Sequence, residues 1–394
     1  MIRPIARFGD LPFLFKVLET PHNPAGIPDA YPLHLGVDEA TGRLVQVSSP
    51  GLEAILRQAY LHGSMITGMM SEDGIGRDYT EDFLSLLAEH LTVPIAGARI
   101  LEIGCGNGYL LSRLNALGAR EAIGIDPGPH ADEARERYGV DARRGFFPDV
   151  APAGPFDLVI AYCLLEHITD PVALLREAGR FIAPGGQVAV VVQDEEPYIG
   201  TGEFSLLFHE HFSYFSARTL ARTLRAAGGA DPTVVRSRFS NLLFACCCWD
   251  GRDAPVDGSL PVDLDLAASF PAKAERLANV WKQRVAAASS EPGGVAVYVP
   301  GRAANYLSLE GVDLSARIRL LDDNPLLHGT YLPGIPNHIE SGDTLLTEPA
   351  AETLIMSLSF GTRIAERLVG RGVPAACLTT LERLLSAAGA SRTS

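Results

Sequence analysis

The sequence predicts an α/β protein whose central domain is a doubly wound parallel sheet. The first observation is an apolar strand that breaks into a glycine-rich loop and then opens a helix, at residues 100–111. The second is another apolar strand, residues 122–126, which ends in the carboxylate of Asp126. The third is the continued alternation of helical segments with apolar strands at 156–161 and 188–192. Alternating strands and helices form parallel sheets, which bind ligands at the carboxyl ends of their strands.

The glycine loop predicts a site for a cofactor that contains adenosine. Gly104, Gly106 and Gly108 let the backbone turn sharply and let a ligand lie against the main chain. The helix behind the loop offers free N–H groups, and an acid after the next strand, here Asp126, can bind a ribose diol. An NAD-binding fingerprint is the less favoured alternative, because it would need a third glycine where this chain has Tyr109.

The spacing of Glu102 and the three glycines resembles motif I of the class I S-adenosylmethionine-dependent methyltransferases. The resemblance implies S-adenosylmethionine as the cofactor and Asp126 as its ribose ligand. Tyr109, just inside the helix, is a candidate to line the cofactor pocket. Phe146 and Phe147 are candidates to flank the adenine, although aromatic residues at such positions belong to the core at least as often. The residues predicted to hold the cofactor are Glu102, Gly104, Gly106, Gly108, Tyr109, Asp126, Phe146 and Phe147.

Composition and charge narrow the functional classes. With 394 residues, 47% of them hydrophobic, the chain is long enough for two or three domains. A net charge of −14 repels phosphate backbones, so nucleic acid is a poor candidate partner. No apolar run reaches the length of a membrane span, and the N-terminus lacks the pattern of a signal peptide. We therefore expect a cytoplasmic protein that acts on a small molecule, without a membrane partner.

We expect three domains along the chain. Residues 1–75 are rich in proline and turns and predict a small irregular domain without a sustained helix before Pro50. Residues 76–250 contain the α/β pattern described above. Residues 251–394 begin with a segment that we interpret as a linker, followed by a helix predicted over 272–288 and by further apolar strands. This last part predicts a second, smaller Rossmann-like domain, without the glycine signature of a cofactor site.

A second stretch that could take part in catalysis is residues 208–215, in which two histidines flank a glutamate among aromatic residues. Histidine titrates near neutral pH and suits a general base, and a neighbouring carboxylate can fix its tautomer. The alternative is a polar loop whose histidines are merely hydrogen-bonded. Metal binding is the weakest alternative, because two ligands one residue apart lack a third. The candidate catalytic residues are His209, Glu210 and His211, together with His167 at the end of the fourth strand.

Three motifs together resemble the C-methyltransferases that act on nucleotide-linked 4-keto deoxysugars in antibiotic pathways. The family motif Y-H-E-H-x-S-Y-F/Y is similar to residues 208–215, and L-E-H-I-x-D-P to residues 165–171. The C-terminal motif D-x-N-P-x-x-x-G-x-Y-L-P-G is similar to residues 322–334. The resemblance covers nearly the whole chain. It implies an N-terminal zinc domain, a central methyltransferase domain and a C-terminal Rossmann-like domain.

The resemblance also implies a reaction and roles for residues. A base removes the acidic proton beside a ketone, donors hold the charge on the ketone oxygen, and the carbanion attacks the methyl group of the cofactor. In this scheme His211 is the base, Glu210 is its orienting partner or a sugar ligand, and His167 is a donor near the reacting centre. The implied substrate is a sugar nucleotide.

Several positions depart from the family pattern. Asp38 and Thr41 stand where the family has cysteine thiolates, so we expect an N-terminal domain that has lost its metal. Phe208 replaces a tyrosine, and residues 239–244 replace the family's H-G-G-S-L-R. The candidate replacements for an N-terminal catalytic tyrosine are Tyr60, His62 and Tyr79.

Two other functions stay open at this point. The same residues could serve an O- or N-methyltransferase of a small natural product, with His211 removing a proton from a hydroxyl or an amine. The chain could also be a cofactor-binding protein that no longer catalyses and acts as a partner of a pathway enzyme. The missing zinc ligands and the missing tyrosine favour this last reading, whereas the joint presence of Glu102, Asp126 and His211 favours an enzyme.

Overall fold

The computed structural model describes most of the chain as two compact units. The described residues are 1–14, 16–61, 70–239, 241–252, 260–315 and 317–389. The first unit comprises residues 1–4, 36–196 and 210–265. The second unit comprises residues 5–35, 197–209 and 266–394. The predicted domain boundaries at 75 and 250 stay predictions.

The N-terminal part contains more regular structure than its proline content predicts. Its elements are β1 (Ile2–Pro12), β2 (Ala30–Asp38), β3 (Leu44–Gln46), α1 (Pro50–Leu61) and α2 (Gly74–His90). The first helix begins at Pro50, and no described helix comes before it, in agreement with the prediction. Proline is tolerated at the start of a helix and in edge positions of strands, because it lacks only an N–H group that these positions can spare.

The central part is the predicted succession of strands and helices. Its elements are β4 (Arg99–Ile103), α3 (Tyr109–Ala116), β5 (Glu121–Asp126), α4 (His130–Tyr138), β6 (Asp141–Arg144), β7 (Phe156–Tyr162), α5 (Pro171–Gly179), β8 (Ile182–Gln193), α6 (Glu196–Thr201), β9 (Ser213–Tyr214), α7 (Ala217–Ala227), β10 (Gly229–Arg236) and β11 (Leu242–Trp249). Seven of these strands form one sheet in the order β10-β11-β8-β7-β4-β5-β6.

The predicted parallel sheet is present in five strands, and two further strands that were not predicted as antiparallel make the whole sheet mixed. Strands β6, β5, β4, β7 and β8 are parallel to one another. Strand β11 runs antiparallel to β8, and β10 runs antiparallel to β11. After α7 the chain returns to the sheet as the hairpin β10–β11, whose short connection makes these two strands antiparallel to each other. The parallel part still brings the carboxyl ends of β4, β5 and β7 to one edge.

Both faces of this sheet are covered, which explains why its strands are continuous apolar runs. Ile100 and Leu158 belong to the core on one face, whereas Leu101 and Val159 belong to the core on the other. Successive side chains of a strand point to opposite faces, so a strand buried on both sides needs apolar residues at every position. Because side chains on both faces of the sheet are packed in a core, the sheet supports the loops at its carboxyl edge.

The C-terminal part contains a separate five-stranded sheet. Its elements are α8 (Leu260–Ser289), β12 (Val295–Tyr298), α9 (Ala304–Leu307), β13 (Ile318–Asp322), β14 (Ile339–Ser341), β15 (Glu352–Ile355), α10 (Gly361–Gly370), β16 (Leu378–Thr380) and α11 (Leu381–Ala387). Five strands in the order β14-β13-β12-β15-β16 are all parallel. The predicted second Rossmann-like sheet is confirmed. None of the described helices combines the length and the hydropathy needed to cross a membrane.

Helix α8 begins well before residue 272, which corrects the predicted linker. It includes Pro271, which would ordinarily break a helix. Near its start, Asp263 is buried and accepts hydrogen bonds from Arg218 and Arg222 of α7. These tertiary ion pairs stabilise the first turns of α8, and no periodicity in the sequence could reveal them.

Candidate active site

The loop between β4 and α3 has the backbone conformation that the glycine spacing predicts. Gly104, Gly106 and Gly108 all have positive φ angles, of 81°, 49° and 73°. The N–H groups of Gly104 and Cys105 donate to the carbonyl of Ile125 at 2.7 and 3.1 Å, which anchors the start of the loop on the neighbouring strand. Since the left-handed region is costly for residues with a Cβ, the three glycines are what allow this loop to form.

Two buried carboxylates lie beside this loop. Asp126, at the end of β5, accepts hydrogen bonds from the N–H groups of Gly106 and Gly128 at 3.0 and 2.8 Å. Burial raises the pKa of Asp126, although these two hydrogen bonds act to lower it. Burial, and secondarily the charge of Asp126, raises the pKa of Glu102 well above its usual range. In the described part of the chain the Oε2 atom of Glu102 has no hydrogen-bond partner, so this buried oxygen is available to a donor from a ligand.

A cavity of about 230 Å³ opens at this edge of the first unit. We call it the central cavity. Its lining includes six of the eight residues predicted to hold the cofactor: Glu102, Gly104, Gly106, Asp126, Phe146 and Phe147. Tyr109 is buried against Tyr138, with 5.8 Å between ring centroids, and it is not among the lining residues. Gly108 also lies outside the lining, and its missing Cβ allows the start of α3 to pack closely against Ala134 of α4.

Gly106 and Gly108 provide a matched pair of substitutions. A Cβ added at Gly108 would lie 2.5 Å from the Cβ of Ala134, whereas one added at Gly106 meets no atom within 4 Å. We expect Gly108→Ala to destabilise the protein by about 2 kcal/mol through overpacking and backbone strain. Gly106→Ala should cost only about 1 kcal/mol of strain but place a methyl group in the central cavity. Thermal unfolding and calorimetric titration with S-adenosylmethionine should separate the two effects; equal loss of cofactor affinity in both variants would contradict this assignment.

His167 reaches the central cavity from a 3-10 turn, Leu165–His167, that follows β7. Its Nδ1 atom lies 3.1 Å from the backbone carbonyl oxygen of Glu210. A carbonyl can only accept, so this bond places the proton on Nδ1 and leaves Nε2 as the acceptor. Burial lowers the pKa of His167 to about 4, so the ring is neutral at physiological pH. A neutral His167 with this tautomer accepts hydrogen bonds through Nε2, which differs from the donor role that the resemblance implies.

The ring of His211 packs against that of His167, which lines the central cavity. The two rings are nearly perpendicular, with centroids 4.8 Å apart, and His211 is only 1% exposed. The carboxylate of Glu210 lies 3.9 Å from Nδ1 of His167, whereas Nδ1 of His211 lies 3.7 Å from Oε1 of Glu195. The carboxylate nearest His211 among those with a described ion-pair distance is therefore Glu195, which the sequence did not single out.

Tyr60 is the N-terminal tyrosine that the structure brings to the central cavity. It lines the cavity, and its ring lies edge-on to His167 at 6.4 Å. Burial, and then the charges of Glu210 and Glu166, raises its pKa well above the usual range, so the phenol keeps its proton. Tyr79 instead packs edge-on against Phe239 at 5.1 Å. The third candidate, His62, lies outside the described residues.

Glu166 is a further buried acid of this region that the sequence analysis did not select. It is 1% exposed, and within the described residues neither of its carboxylate oxygens has a hydrogen-bond partner. Burial raises its pKa to about 8, so it carries a proton at neutral pH. The only signal in the sequence is its position next to His167. The region around the two histidines therefore holds several groups in their neutral forms.

His209, the remaining candidate, belongs to the second unit and is not among the residues that line the central cavity. Its Nε2 atom lies 2.8 Å from the carbonyl oxygen of Tyr31, and its ring stacks on Phe13 at 5.0 Å. Burial lowers its pKa to about 4. These contacts are typical of a buried histidine in a packed core. They do not support the predicted catalytic role of His209.

The positions of the expected zinc ligands are joined by hydrogen bonds within the chain. The hydroxyl of Thr41 donates to Asp38 at 2.7 Å, and the guanidinium of Arg43 lies 3.6 Å from the same carboxylate. Among the described residues, no three His, Cys, Asp or Glu side chains are grouped so as to hold a metal ion. The turn from Asp38 to Arg43 is therefore stabilised by a hydrogen bond from Thr41 and an ion pair with Arg43, both to the carboxylate of Asp38.

The comparison with known families bears on the central segment. Residues 75–230, which carry the glycine loop, Asp126 and both His167 and His211, match the family model described as a methyltransferase domain. By this match the segment is a methyltransferase domain, as predicted. The finer resemblance to sugar C-methyltransferases and to their zinc domain is not tested by it.

Curated relatives of the methyltransferase domain have different substrates in their names. A ubiquinone biosynthesis O-methyltransferase of Azorhizobium caulinodans is 42% identical over 106 residues, which are 25% of this chain and 41% of that protein. A tRNA U34 carboxymethyltransferase of Edwardsiella ictaluri is 32% identical over 158 residues, which are 37% of this chain and 49% of that protein. The chain thus spans less than half the length of these relatives.

Solved structures similar to the methyltransferase domain are related at low identity. The N-methyltransferase NodS of Bradyrhizobium japonicum, in complex with S-adenosylhomocysteine, is 18% identical. The alignment covers 50% of this chain and 97% of that one, with a TM-score of 0.37. The DhpI–SAM–HEP complex is 21% identical and covers 51% of this chain and 99% of that one, with a TM-score of 0.40.

The residues of the methyltransferase domain fit S-adenosylmethionine chemically. The cofactor has hydroxyl and amino donors, and the central cavity has the carboxylates of Asp126 and Glu102 as acceptors. Its positive charge would offset the cost of keeping two buried carboxylates ionised. The open space beside Gly106 leaves the backbone of the loop accessible to it. Asp126, Glu102 and the loop from Gly104 to Gly106 are therefore the residues that would hold it.

Proposed function

We propose that the chain methylates a carbon next to a ketone in a nucleotide-linked keto deoxysugar, or a related activated ketone, of secondary metabolism. The observation that carries the proposal is that the protonated phenol of Tyr60 and the neutral imidazole of His167 both line the central cavity, and that the ring of His211 lies 4.8 Å from that of His167. The motif resemblance described above supplies the substrate class. The small-molecule substrate, the absence of nucleic-acid or membrane partners and the cytoplasmic location stay predictions.

The residues that line the central cavity favour a methyl acceptor without negative charge. Of the described residues that line the central cavity, none is Arg or Lys, whereas Glu102 and Asp126 are acids. A carboxylate or phosphate brought beside the cofactor would meet no cation from this lining and would be repelled. A ketone or hydroxyl has no such cost. The phosphates of a sugar nucleotide would have to bind outside this cavity.

The proposed mechanism divides proton removal and oxyanion stabilisation between different residues. His211 takes the proton from the carbon beside the ketone, and the electron pair moves toward the carbonyl oxygen. The protonated phenol of Tyr60 donates to that oxygen as its charge develops. His167, fixed as a neutral acceptor by its bond to Glu210, orients a hydroxyl of the substrate. When bound, S-adenosylmethionine supplies an electrophilic methyl group, which the carbanion receives.

O-methylation is the second candidate, and one observation favours it. The curated relative with 42% identity over 106 residues is named as an O-methyltransferase. In that case His211 would remove a proton from a hydroxyl group, and the Tyr60 phenol would have no oxyanion to stabilise. N-methylation and a non-catalytic role have no comparable support from the described contacts.

Isotope exchange separates the candidates before any product is identified. The protein is incubated without cofactor in deuterated water with a panel of keto sugar nucleotides, and the carbon-bound hydrogens are followed by NMR. We expect exchange next to the ketone of at least one compound. Labelled S-adenosylmethionine then shows whether the methyl group arrives on carbon or on oxygen. Methyl transfer to oxygen, without hydrogen exchange at carbon, would replace the proposal by the second candidate.

A further inference from the structure

A buried carboxylate outside the predicted catalytic set is held in a fixed position by the backbone. Glu195 follows β8 and is 1% exposed. Its Oε2 atom accepts a hydrogen bond from the N–H group of Phe215 at 2.7 Å, and its own N–H group donates to the carbonyl of Phe215 at 2.8 Å. Glu195 is thus fixed at both its backbone and its side chain.

Oε1 of Glu195 faces His211. It lies 3.7 Å from Nδ1 of the imidazole, and both side chains are 1% exposed. This distance is longer than a hydrogen bond in its ordinary range, but it is within reach of one after a small adjustment on substrate binding. A buried carboxylate next to an imidazole costs free energy unless the two groups are paired, so the geometry points to a functional pair.

The two acids beside Glu195 in the sequence provide an internal comparison. Asp194 accepts a hydrogen bond from Arg236 at 2.6 Å, and Glu196 accepts one from Arg218 at 2.8 Å. Both therefore take part in ion pairs with arginine. Of the three consecutive acids, Glu195 is the one with a described ion-pair distance to a histidine.

We propose that Glu195 is the positioning residue of His211. Its carboxylate accepts a hydrogen bond from the Nδ1–H group, so that Nε2 keeps its lone pair and can take the proton of the substrate. Its charge then stabilises the imidazolium that forms, as a buried carboxylate does for the histidine of hydrolase triads. Glu195 itself is not protonated and does not touch the substrate. This proposal rests on the proposed role of His211 as the base, which the resemblance implied with Glu210 as its orienting partner.

Substitution by glutamine should reverse the tautomer. In Glu195→Gln the N–H of Phe215 still requires an acceptor, so the amide oxygen stays on that side and the NH₂ group faces His211. Nδ1 then has to accept, and the ring proton moves to Nε2, where it blocks proton abstraction. We expect the turnover number to fall by roughly 10³- to 10⁴-fold, the effect of a wrong tautomer in such a pair, while affinity for S-adenosylmethionine is unchanged.

The tautomer is measured directly by ¹⁵N NMR of the full-length protein with labelled histidine, with the His211 signals assigned by comparison with His211→Gln. We expect a proton on Nδ1 in the wild-type protein, in Glu195→Asp and in the matched control Glu196→Gln. We expect a proton on Nε2 in Glu195→Gln. Glu195→Asp keeps a carboxylate acceptor and should recover part of the activity, and thermal unfolding of each variant checks that it is folded.

The outcomes distinguish this inference from the proposed function. A His211 tautomer that is the same in Glu195→Gln as in the wild-type protein overturns the positioning role, whatever the activity. Loss of turnover in Glu195→Gln without a change of tautomer also overturns it and indicates a structural role. If the tautomer reverses but the wild-type protein methylates no ketone, the positioning role stands and the proposed substrate class is wrong.

Discussion

Replacing His211 by glutamine is expected to abolish methyl transfer while leaving the cofactor bound as before. His211 is not among the residues that line the central cavity, but its ring lies 4.8 Å from that of His167, which does line it. Glutamine fills a similar volume and can hydrogen-bond, but it cannot accept a proton at neutral pH. General bases typically contribute about 10²- to 10⁴-fold to a rate, so we expect a loss of turnover of that size.

The measurement is single-turnover methyl transfer from labelled S-adenosylmethionine, together with calorimetric titration of the cofactor. His338→Gln is the matched control, because His338 is exposed and belongs to the second unit. It should leave both quantities unchanged. If His211→Gln turns over at the wild-type rate, His211 is not the base, and His167→Gln becomes the decisive variant, because Nε2 of His167 is the other acceptor in this region.

The residues that hold the cofactor could be predicted because each of them is recognised by its immediate neighbours in the sequence. A glycine is required where φ is positive, as at Gly104 and Gly106, and a carboxylate is required where a strand ends beside the loop, as at Asp126. Each requirement concerns a few neighbouring residues, so spacing alone reveals it. Gly108 also has a positive φ, and in addition its missing Cβ makes room for Ala134. Sequence pattern could not distinguish these two uses of glycine.

The arrangement of the candidate catalytic residues depends on contacts between residues far apart in the chain. Glu195 and His211 are separated by a helix and a loop, and the acidic run around Glu195 contains three carboxylates of equal appearance. Only the fold shows that Glu195 lies beside His211, whereas Asp194 and Glu196 pair with arginines. The choice between Tyr60 and Tyr79 also depends on the fold. Their surroundings in the structure determine which of them lines the central cavity, and the sequence does not show these surroundings. The N-terminal turn of α8 was missed for this reason too, since Asp263 is paired with arginines of α7.

Asp126→Asn is expected to weaken binding of S-adenosylmethionine strongly, with little change in fold. Both carboxylate oxygens of Asp126 accept backbone N–H groups, from Gly106 and Gly128. Asparagine has a single acceptor oxygen, so its NH₂ group must face one of these two donors, and it has no charge to attract hydroxyl donors of a ribose. Hydrogen bonds to charged groups contribute about 1.5–3 kcal/mol, so we expect the dissociation constant to rise roughly 10- to 100-fold.

Asp141→Asn is the control for the change in net charge. Asp141 begins β6 on the same sheet, with its side chain 53% exposed and 3.7 Å from Arg143. Because an exposed charge is screened by solvent, its removal should shift the dissociation constant by less than about twofold. Equal affinities of the two variants for S-adenosylmethionine, with unchanged thermal unfolding, would mean that the carboxylate beside the glycine loop does not hold the cofactor. A selective loss in Asp126→Asn would instead tie cofactor binding to the end of β5, because the two variants change net charge equally and differ in whether the lost carboxylate faces the central cavity.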